Sequence, residues 1–313
     1  MIRYTGKRFI SVIPVIIGIS IIAFMLGLIT PGDPAAMALG RDGVSQVTPQ
    51  LLENKRQELG LDQPGLIQYL NWAKKAIKGD LGKSYVDHTS VSGEILRRLP
   101  VTLTLSGYTM LLVCVFGLLF GVYSAAYLNR IPDVIMKFIM NLLMAFPAFW
   151  LGIILIIVFG ENLKLLPTNG IDGISSFILP SVTLASANIA MTGRLMRSSM
   201  LEEFGKQYML AADAKGIRRT QILLFHALPN AMLPVITYLG SCLGGILGGS
   251  AVIETIFSLP GIGSYVLEAI HARDYPIIQG YVLFMGVVYV IISLGIDLLC
   301  ALLNPKMRLG GKA

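Results

Sequence analysis

Long stretches without a single charge constrain this chain more than any other feature. Such runs cover residues 9–29, 101–128, 138–160, 230–253 and 277–296. A hydrocarbon core of about 30 Å is crossed by roughly 20 apolar residues in helical form, so each run is long enough to span a bilayer. A sixth segment, 177–193, is shorter and more polar, with Pro180, Asn188 and several Ser, Thr and Ala residues. Small and hydroxylated side chains suit a span buried among other helices, because they allow close approach. Hydrophobic residues make up 54% of the 313 and charged residues 14%, against roughly 25% charged in soluble domains. That balance excludes an ordinary soluble chain and a disordered one. The net charge of +7 is spread thinly, which argues against nucleic-acid binding as the main role. Cys114, Cys242 and Cys300 lie in apolar runs without metal-ligand spacing, so neither a disulfide framework nor a zinc site is implied. The expected fold is all-α: a polytopic membrane protein of six transmembrane helices, with an extracytoplasmic segment of about 70 residues after the first.

In short loops Lys and Arg favour the cytoplasmic side. With the N-terminus inside, that side carries Arg3, Lys7, Arg8, Arg130, Lys137, Arg194, Arg197, Lys206, Lys215, Arg218, Arg219, Lys306, Arg308 and Lys312, whereas the short outer loops carry only Lys164 and Arg273. Both termini are therefore expected in the cytoplasm. The first apolar run exceeds the core of a secretory signal, and Ile29-Thr30-Pro31-Gly32 offers no small-residue cleavage site, so it reads as a retained span. The expected domains are residues 1–30 (cytoplasmic N-terminus and first span), 31–100 (extracytoplasmic segment), 101–303 (five-span core enclosing a cytoplasmic loop at 198–229) and 304–313 (cytoplasmic tail).

Residues 30–100 hold nine Lys or Arg and eight Asp or Glu, and a segment of that length is exempt from the charge rule. Thr48-Pro49 predicts a helix start and Gly60 its stop. Leu66, Leu70, Ala73 and Ile77 mark one face of a second helix, which Gly79 ends. The segment is either a cap on the outer ends of the spans or a docking surface for an external partner.

The loop between the fourth and fifth spans has helix-forming composition but too many charges to cross the bilayer. Phe204, Tyr208, Ala211 and Ala212 are expected on one face of a helix. Gly216 interrupts it, and Ile217, Leu224 and Leu228 open a second amphipathic piece that Pro229 is expected to end. Small side chains at Ala211 and Ala212 would let another surface approach the backbone. Two readings stand: an element that docks in a partner's groove, or an interfacial helix whose Arg218 and Arg219 meet lipid phosphates.

Ala211-Ala212-Asp213-Ala214-Lys215-Gly216, followed twelve residues later by Leu228-Pro229, resembles the "EAA" signature of importer-type ABC permeases. Leu210 stands where the name-giving Glu would be and His226 where Ile is usual, and the branch that takes up peptides and nickel commonly lacks that Glu. Gly60-Leu61-Asp62-Gln63-Pro64 with Gln68-Tyr69 and Trp72, then Gly79-Asp80-Leu81-Gly82-Lys83-Ser84, are similar to the outer segment of the same branch. Residues 254–280, ETIFSLPGIGSYVLEAIHARDYPIIQG, resemble its loop before the last span, and Asp297-Leu298-Leu299 with Asn304-Pro305-Lys306 its closing pattern. The resemblance implies one of two membrane subunits of an ATP-driven importer, passing peptides or nickel or a metal chelate by alternating access. It implies as partners a homologous second permease, two cytosolic ATPase subunits that bind ATP and Mg, and an extracytoplasmic solute-binding protein. It also implies that Tyr208, Ala211, Ala212, Asp213, Gly216, Leu228 and Pro229 form the ATPase-coupling loop. This chain is then no enzyme and holds no cofactor.

Gly240, Gly244 and Gly248 recur at four-residue spacing on the fifth span, a pattern of close helix packing or of a smooth pathway wall. Asp297, Glu254 and Arg194 lie near span ends, where anchoring or an interhelical hydrogen bond explains them. Met136, Met140 and Met144 share a helix face and read as packing. His88, His226 and His271 are unclustered, so no metal site is expected. No Ser-His pair, HExxH run or carboxylate pair suggests intramembrane catalysis. A secondary transporter or channel is the alternative, although no inverted repeat or mid-span coupling charge supports it.

Overall fold

Each apolar run becomes a helix, because a chain in hydrocarbon must satisfy its own backbone N–H and C=O groups. The computed structural model describes residues 2–29, 33, 35–36, 39 and 48–303. In chain order the helices are α1 (Ile2–Ile29), α2 (Pro49–Leu59), α3 (Gly65–Ile77), α4 (Val91–Leu112), α5 (Leu118–Ala126), α6 (Ile131–Ala145), α7 (Ala148–Leu155), α8 (Ile178–Phe204), α9 (Gln207–Ala214), α10 (Arg219–Gln221), α11 (Leu228–Ile256), α12 (Ile262–Ala272) and α13 (Tyr275–Leu303). π-helical turns at Val113–Gly117 and Ile222–Ala227 join α4 to α5 and α10 to α11, and a third at Ile156–Asn162 follows α7. Among the described residues there is no strand, only an isolated bridge between Lys83 and Ser90. Among the described residues five helical stretches are long and apolar enough to cross a membrane, and the bent pair containing α6 and α7 makes a sixth when its two halves are counted as one broken span. The architecture is the expected all-α polytopic one. The 304–313 tail, including Asn304-Pro305-Lys306, lies outside the described residues.

Three boundaries differ from expectation. The second crossing helix starts at Val91 rather than 101, with Pro100 inside it. Ser90 starts it, its carbonyl accepting from Glu94 N at 3.0 Å and its hydroxyl from Gly93 N at 3.4 Å. Glu94, Arg97 and Arg98 in its first turns hid this start from a count of uncharged residues. The 138–160 run is not one rod: its two halves meet at 98°. Pro147 lacks an N–H and forces Phe146 into extended backbone, φ −99° and ψ 132°, which no helix tolerates. The fourth span, expected over 177–193, continues as α8 to Phe204, its charged turns held by partners described below.

The chain divides into two units, one of residues 1–6, 101–263 and 291–313, the other of residues 7–100 and 264–290. In the first, α8 is central, with α5, α6, α7, α11 and the 113–117 turn packed on it. This is why its sequence is small and hydroxylated. A Cβ at Gly121 would lie 2.6 Å from the Gly193 carbonyl, and one at Gly193 2.6 Å from the Met140 sulfur, so glycine alone permits that crossing. Met140 is buried there while Met144 is exposed, so the methionine row packs at its middle member.

In the second unit α2 and α3 follow their predicted caps. Thr48 Oγ1 accepts from Leu51 N at 3.4 Å, and Gly60 and Gly79 take the left-handed backbone after each helix. Tyr69 and Trp72 of α3 pack on Phe24 of α1, with ring centroids 5.6 and 5.8 Å apart. The Ser84 hydroxyl donates to the buried Asp274 carboxylate at 2.5 Å, and Tyr85 N and Val86 N donate to it at 3.2 Å each. That contact joins the two sequence blocks 79–84 and 254–280.

Candidate functional site

The 198–229 loop is built from α8's end, α9, a turn at Gly216, α10 and the Ile222–Ala227 π-turn. The single helix expected through Phe204 and Tyr208 is broken, because α8 stops at Phe204 and α9 begins at Gln207. Gly205 and Lys206 form the break, their N–H groups turned back to the Glu202 and Glu203 carbonyls at 3.2 and 3.0 Å. At the other end of α9, Gly216 has φ +75°. Gly216 N donates to Asp213 O at 2.9 Å and Ile217 N to Ala212 O at 3.3 Å, the paired bonds of a left-handed helix cap. A residue with a Cβ adopts that backbone at a cost of roughly 1–2 kcal/mol. The predicted bend is thus a defined helix end.

Ala211 and Ala212, expected on the same side, part company. Ala212 and Met209 enter the core with Ile222 and Ala227, while Ala211 and Asp213 face outward. Neighbours on a helix sit about 100° apart, so only one can face the core. Tyr208, Leu210, Leu224 and Phe225 are also exposed, Leu210 by 67% and Phe225 by 73%. Pro229 does not end the helix: α10, the π-turn and α11 run on from Arg219 to Ile256. The π register immediately before Leu228 widens the backbone where the proline ring would clash and its missing N–H falls. Leu228 is half-buried against the core and Pro229 is exposed.

Sequence reasoning missed the residue that fastens this loop. Glu203, on α8 and buried, accepts from the Tyr208 hydroxyl and from Lys206 Nζ at 2.5 Å. Asn230 Nδ2, on α11, donates to the Tyr208 oxygen at 3.3 Å and to His226 O at 2.8 Å. One phenol therefore bridges the end of α8, α9 and the start of α11. Although the ring is exposed, partial burial at its hydroxyl end, then the bond to Glu203 and its negative charge, push the Tyr208 pKa up to about 12, so the hydroxyl remains a donor at neutral pH. A glutamate near the end of a charged helical turn, five residues before a tyrosine, was the available signal.

A second carboxylate was also missed. Asp133, fully buried near the start of α6, accepts from Ser124 Oγ at 2.5 Å, from Asn129 N at 3.0 Å and from Arg197 through Nε and Nη2 at 3.0 and 3.1 Å. Lys137 Nζ lies 3.2 Å away. Such a two-pronged guanidinium contact fixes angle as well as distance, so α6 and α8 meet at a defined point. Arg194, one turn earlier, donates to Asn141 Oδ1 at 2.6 Å. Glu254 makes the expected interhelical bond: it accepts from Thr102 Oγ1 at 2.8 Å and Ser250 Oγ at 3.0 Å, and Thr102 in turn accepts from Ile262 N at 2.9 Å.

The glycine row on α11 divides in two. Gly240 abuts Ile296 of α13 so closely that a Cβ would overlap it, whereas Gly245, Gly248 and Gly249 have open space beside them. Gly244, between them, is half-buried.

Residues 117–309 match the family model described as "Binding-protein-dependent transport system inner membrane component", and residues 1–106 match its N-terminal companion. The chain is 39% identical over 308 residues to the glutathione transport system permease protein GsiC of Escherichia coli (strain K12), covering 98% of this chain and 99% of that one. It is 38% identical over the same length to GsiC of Shigella boydii serotype 4 (strain Sb227). Among solved structures, an inward-facing MetNI methionine ABC transporter aligns with TM-score 0.56 at 19% identity, covering 67% of this chain and 96% of that one. An amino acid ABC transporter aligns with TM-score 0.51 at 16% identity, covering 69% and 94%. At those identities the two structures speak to the fold alone. On the family match and the relatives together, the chain belongs to the binding-protein-dependent transport system inner membrane component family and is the permease component of an ABC importer, a multi-pass inner-membrane protein that is not itself catalytic.

Proposed function

We propose that the 198–229 loop is the surface on which two cytosolic ATPase subunits act, and that ATP and Mg are bound by those subunits and not by this chain. The supporting observation is the division of the loop's side chains. Met209, Ala212 and Leu228 hold it from beneath, while Tyr208, Leu210, Ala211, Asp213 and Phe225 face outward around the Gly216 turn. Large apolar groups on an exposed loop mark a contact surface. The sequence has no Gly-x4-Gly-Lys-Ser/Thr run, and energy then enters as movement of the loop, passed to α8 and α11 through Glu203, Tyr208 and Asn230. A homologous second permease and an extracytoplasmic solute-binding protein complete the assembly. The division into residues 1–30, 31–100, 101–303 and 304–313 follows, with both termini in the cytoplasm and 31–100 meeting the binding protein. Gly244 and Gly248 border the pathway, and Gly240 packs.

Two relatives are named for glutathione transport, which supports a small peptide as cargo, whether dipeptide, glutathione or a longer oligopeptide. Purification from the inner membrane should bring down two ATPase chains per complex, and Ala211→Trp should reduce that recovery. Labelled dipeptide and glutathione should enter cells lacking other importers, and uptake of nickel without either peptide would replace the peptide reading with a metal one. Cysteine at position 62 should react from outside and at 206 from inside, and reaction of both from one face would overturn the orientation.

A further inference from the structure

We infer that α3 lies in the outer leaflet of the bilayer beside α1, with Leu66, Leu70 and Ile77 inserted among lipid acyl chains, and is not a soluble part of the extracytoplasmic segment. The assignment to the outer leaflet rests on the orientation proposed above; the insertion does not.

Depth carries the first part of the argument. The Tyr69 hydroxyl is 2.8 Å from the Ser20 hydroxyl, and the Trp72 ring lies 5.8 Å from that of Phe24. Ser20 stands nine residues before the end of α1 at Ile29. At about 1.5 Å per residue that is about 14 Å along the helix, close to half of a hydrocarbon core of about 30 Å. A tilt of about 20° shortens it by only about 1 Å. Tyr69 therefore reaches near the middle of the bilayer, and Trp72 follows α1 outward from there.

The faces of α3 carry the second part. At 100° per residue, Tyr69, Trp72 and Ala76 form the side against α1. Leu66, Leu70, Ala73 and Ile77 form the adjacent side, where Leu66 is 71% exposed, Leu70 54% and Ile77 87%. Gln68, Asn71 and Lys75 form the third, which is polar: Gln68 Nε2 donates to Gln63 O at 2.7 Å and Asn71 Nδ2 to Gln63 Oε1 at 3.1 Å. Lys74 and Lys78 border the apolar side, placed to lay their methylene stems along it and raise their ammonium groups to lipid phosphates. The apolar side continues the surface of α1 itself, where Ile17, Ile21, Ile22 and Met25 are exposed. A segment whose sequence is too short and too charged to span is of the length and pattern that lies in an interface.

The test uses the whole transporter in liposomes, with Cys114, Cys242 and Cys300 replaced and uptake retained. Spin labels are placed singly through Leu66→Cys, Leu70→Cys, Ile77→Cys, Asn71→Cys and Lys75→Cys. Collisions with oxygen should exceed those with a water-soluble nickel chelate several-fold at 66, 70 and 77, and the ratio should invert at 71 and 75. Chelate access at 70 and 77 equal to that at 71 would overturn the insertion, and so would low access to both reagents, which means a protein covers the stripe. If the pattern holds but an impermeant maleimide reaches Asn71→Cys only from the cytoplasmic face, the orientation fails and the insertion stands.

Discussion

Two buried carboxylates fasten loops in this permease, and they do so with different kinds of donor. Asp274 takes two backbone N–H groups, of Tyr85 and Val86, together with one hydroxyl. Glu203 takes side chains alone, the Tyr208 phenol and the Lys206 ammonium. Backbone donors are fixed by the chain's own path, so the Asp274 contact holds a shape. Side-chain donors swing on rotatable bonds, so the Glu203 contact can open and close while the helices around it stay folded. On the proposed coupling role, a region that keeps its form and a region that moves are thereby separated by the chemistry of their fasteners.

The sharpest way to break this contrast is Asp274→Ala. It strips the acceptor from Tyr85 N and the Ser84 hydroxyl, while Val86 N keeps the Ser84 oxygen at 3.0 Å; with each unmade bond costing roughly 1–3 kcal/mol, the loss should be about 2–4 kcal/mol. The detergent-solubilised permease should unfold at a clearly lower temperature, and Asp274→Asn, which keeps one acceptor oxygen, should fall between. An unchanged unfolding temperature in the alanine variant would show that the contact holds nothing.

Next comes Glu203→Ala, expected to cost about 2 kcal/mol at the loop, where Tyr208 loses its acceptor. The effect should appear in a different measurement. Uptake should fall up to about tenfold, with ATP hydrolysis continuing without transport, while the unfolding temperature moves little. Equal losses of both stability and uptake in the two variants would erase the distinction between a shaping and a moving fastener.

How far the sequence shows this follows the same division. Uncharged runs and local punctuation were readable: the crossings, the caps at Thr48, Gly60 and Gly79, and the bend at Gly216 all depend on residues within a few places of one another. Family-like blocks at 79–84 and 254–280 were readable as blocks, but not their meeting, since Ser84 and Asp274 are 190 residues apart. Asp133 and Arg197, 64 residues apart, escaped for the same reason, and each alone looks like an ordinary charge near a span end. The helix start at Val91 was hidden by its own charges, which pair within the helix, Glu94 with Arg97 and Arg98, while Arg98 also lies over the Tyr265 ring. The break at Pro147 is not legible from a count of uncharged residues, because the residues on both sides of it are apolar.

Gly216 tests the moving region through the backbone. Nothing in this chain lies within 4 Å of where its Cβ would sit, so within the chain a side chain there acts through φ +75°. Strain in the bend and crowding against a docked partner can then be told apart by the side chain chosen. Gly216→Val should cost roughly 1–2 kcal/mol and depress uptake severalfold, while Gly216→Asn, which enters the left-handed region more readily, should transport nearly as well as the parent. If asparagine and valine impair uptake equally, crowding against a docked partner, not backbone strain, governs this position.

The smallest effect should come from Tyr208→Phe. It deletes one hydroxyl, leaving Glu203 still paired with Lys206 and Asn230 still bonded to the His226 carbonyl. Tyr208 is partly exposed and water can take up part of the lost bond, so the loss is about 0.5–1 kcal/mol and uptake should fall only about two- to threefold, with the unfolding temperature almost unchanged. Its pH behaviour follows from the direction of the tyrosine's shift. The phenol donates while protonated, and its pKa is raised from 10.0 to about 12 by burial and by the Glu203 carboxylate. The bond's contribution is therefore whole below pH 10 and is lost as pH climbs through about 12. Between pH 6 and about 9 the ratio of parent to Tyr208→Phe uptake should stay constant. Burial pushes the Glu203 carboxyl up, but the bonds from Lys206 and Tyr208 pull it below its ordinary value, so it too stays charged across that range. A ratio that drifts between pH 6 and about 9 would therefore show that a group other than these two controls the fastener, and would break the assignment to the Tyr208–Glu203 bond.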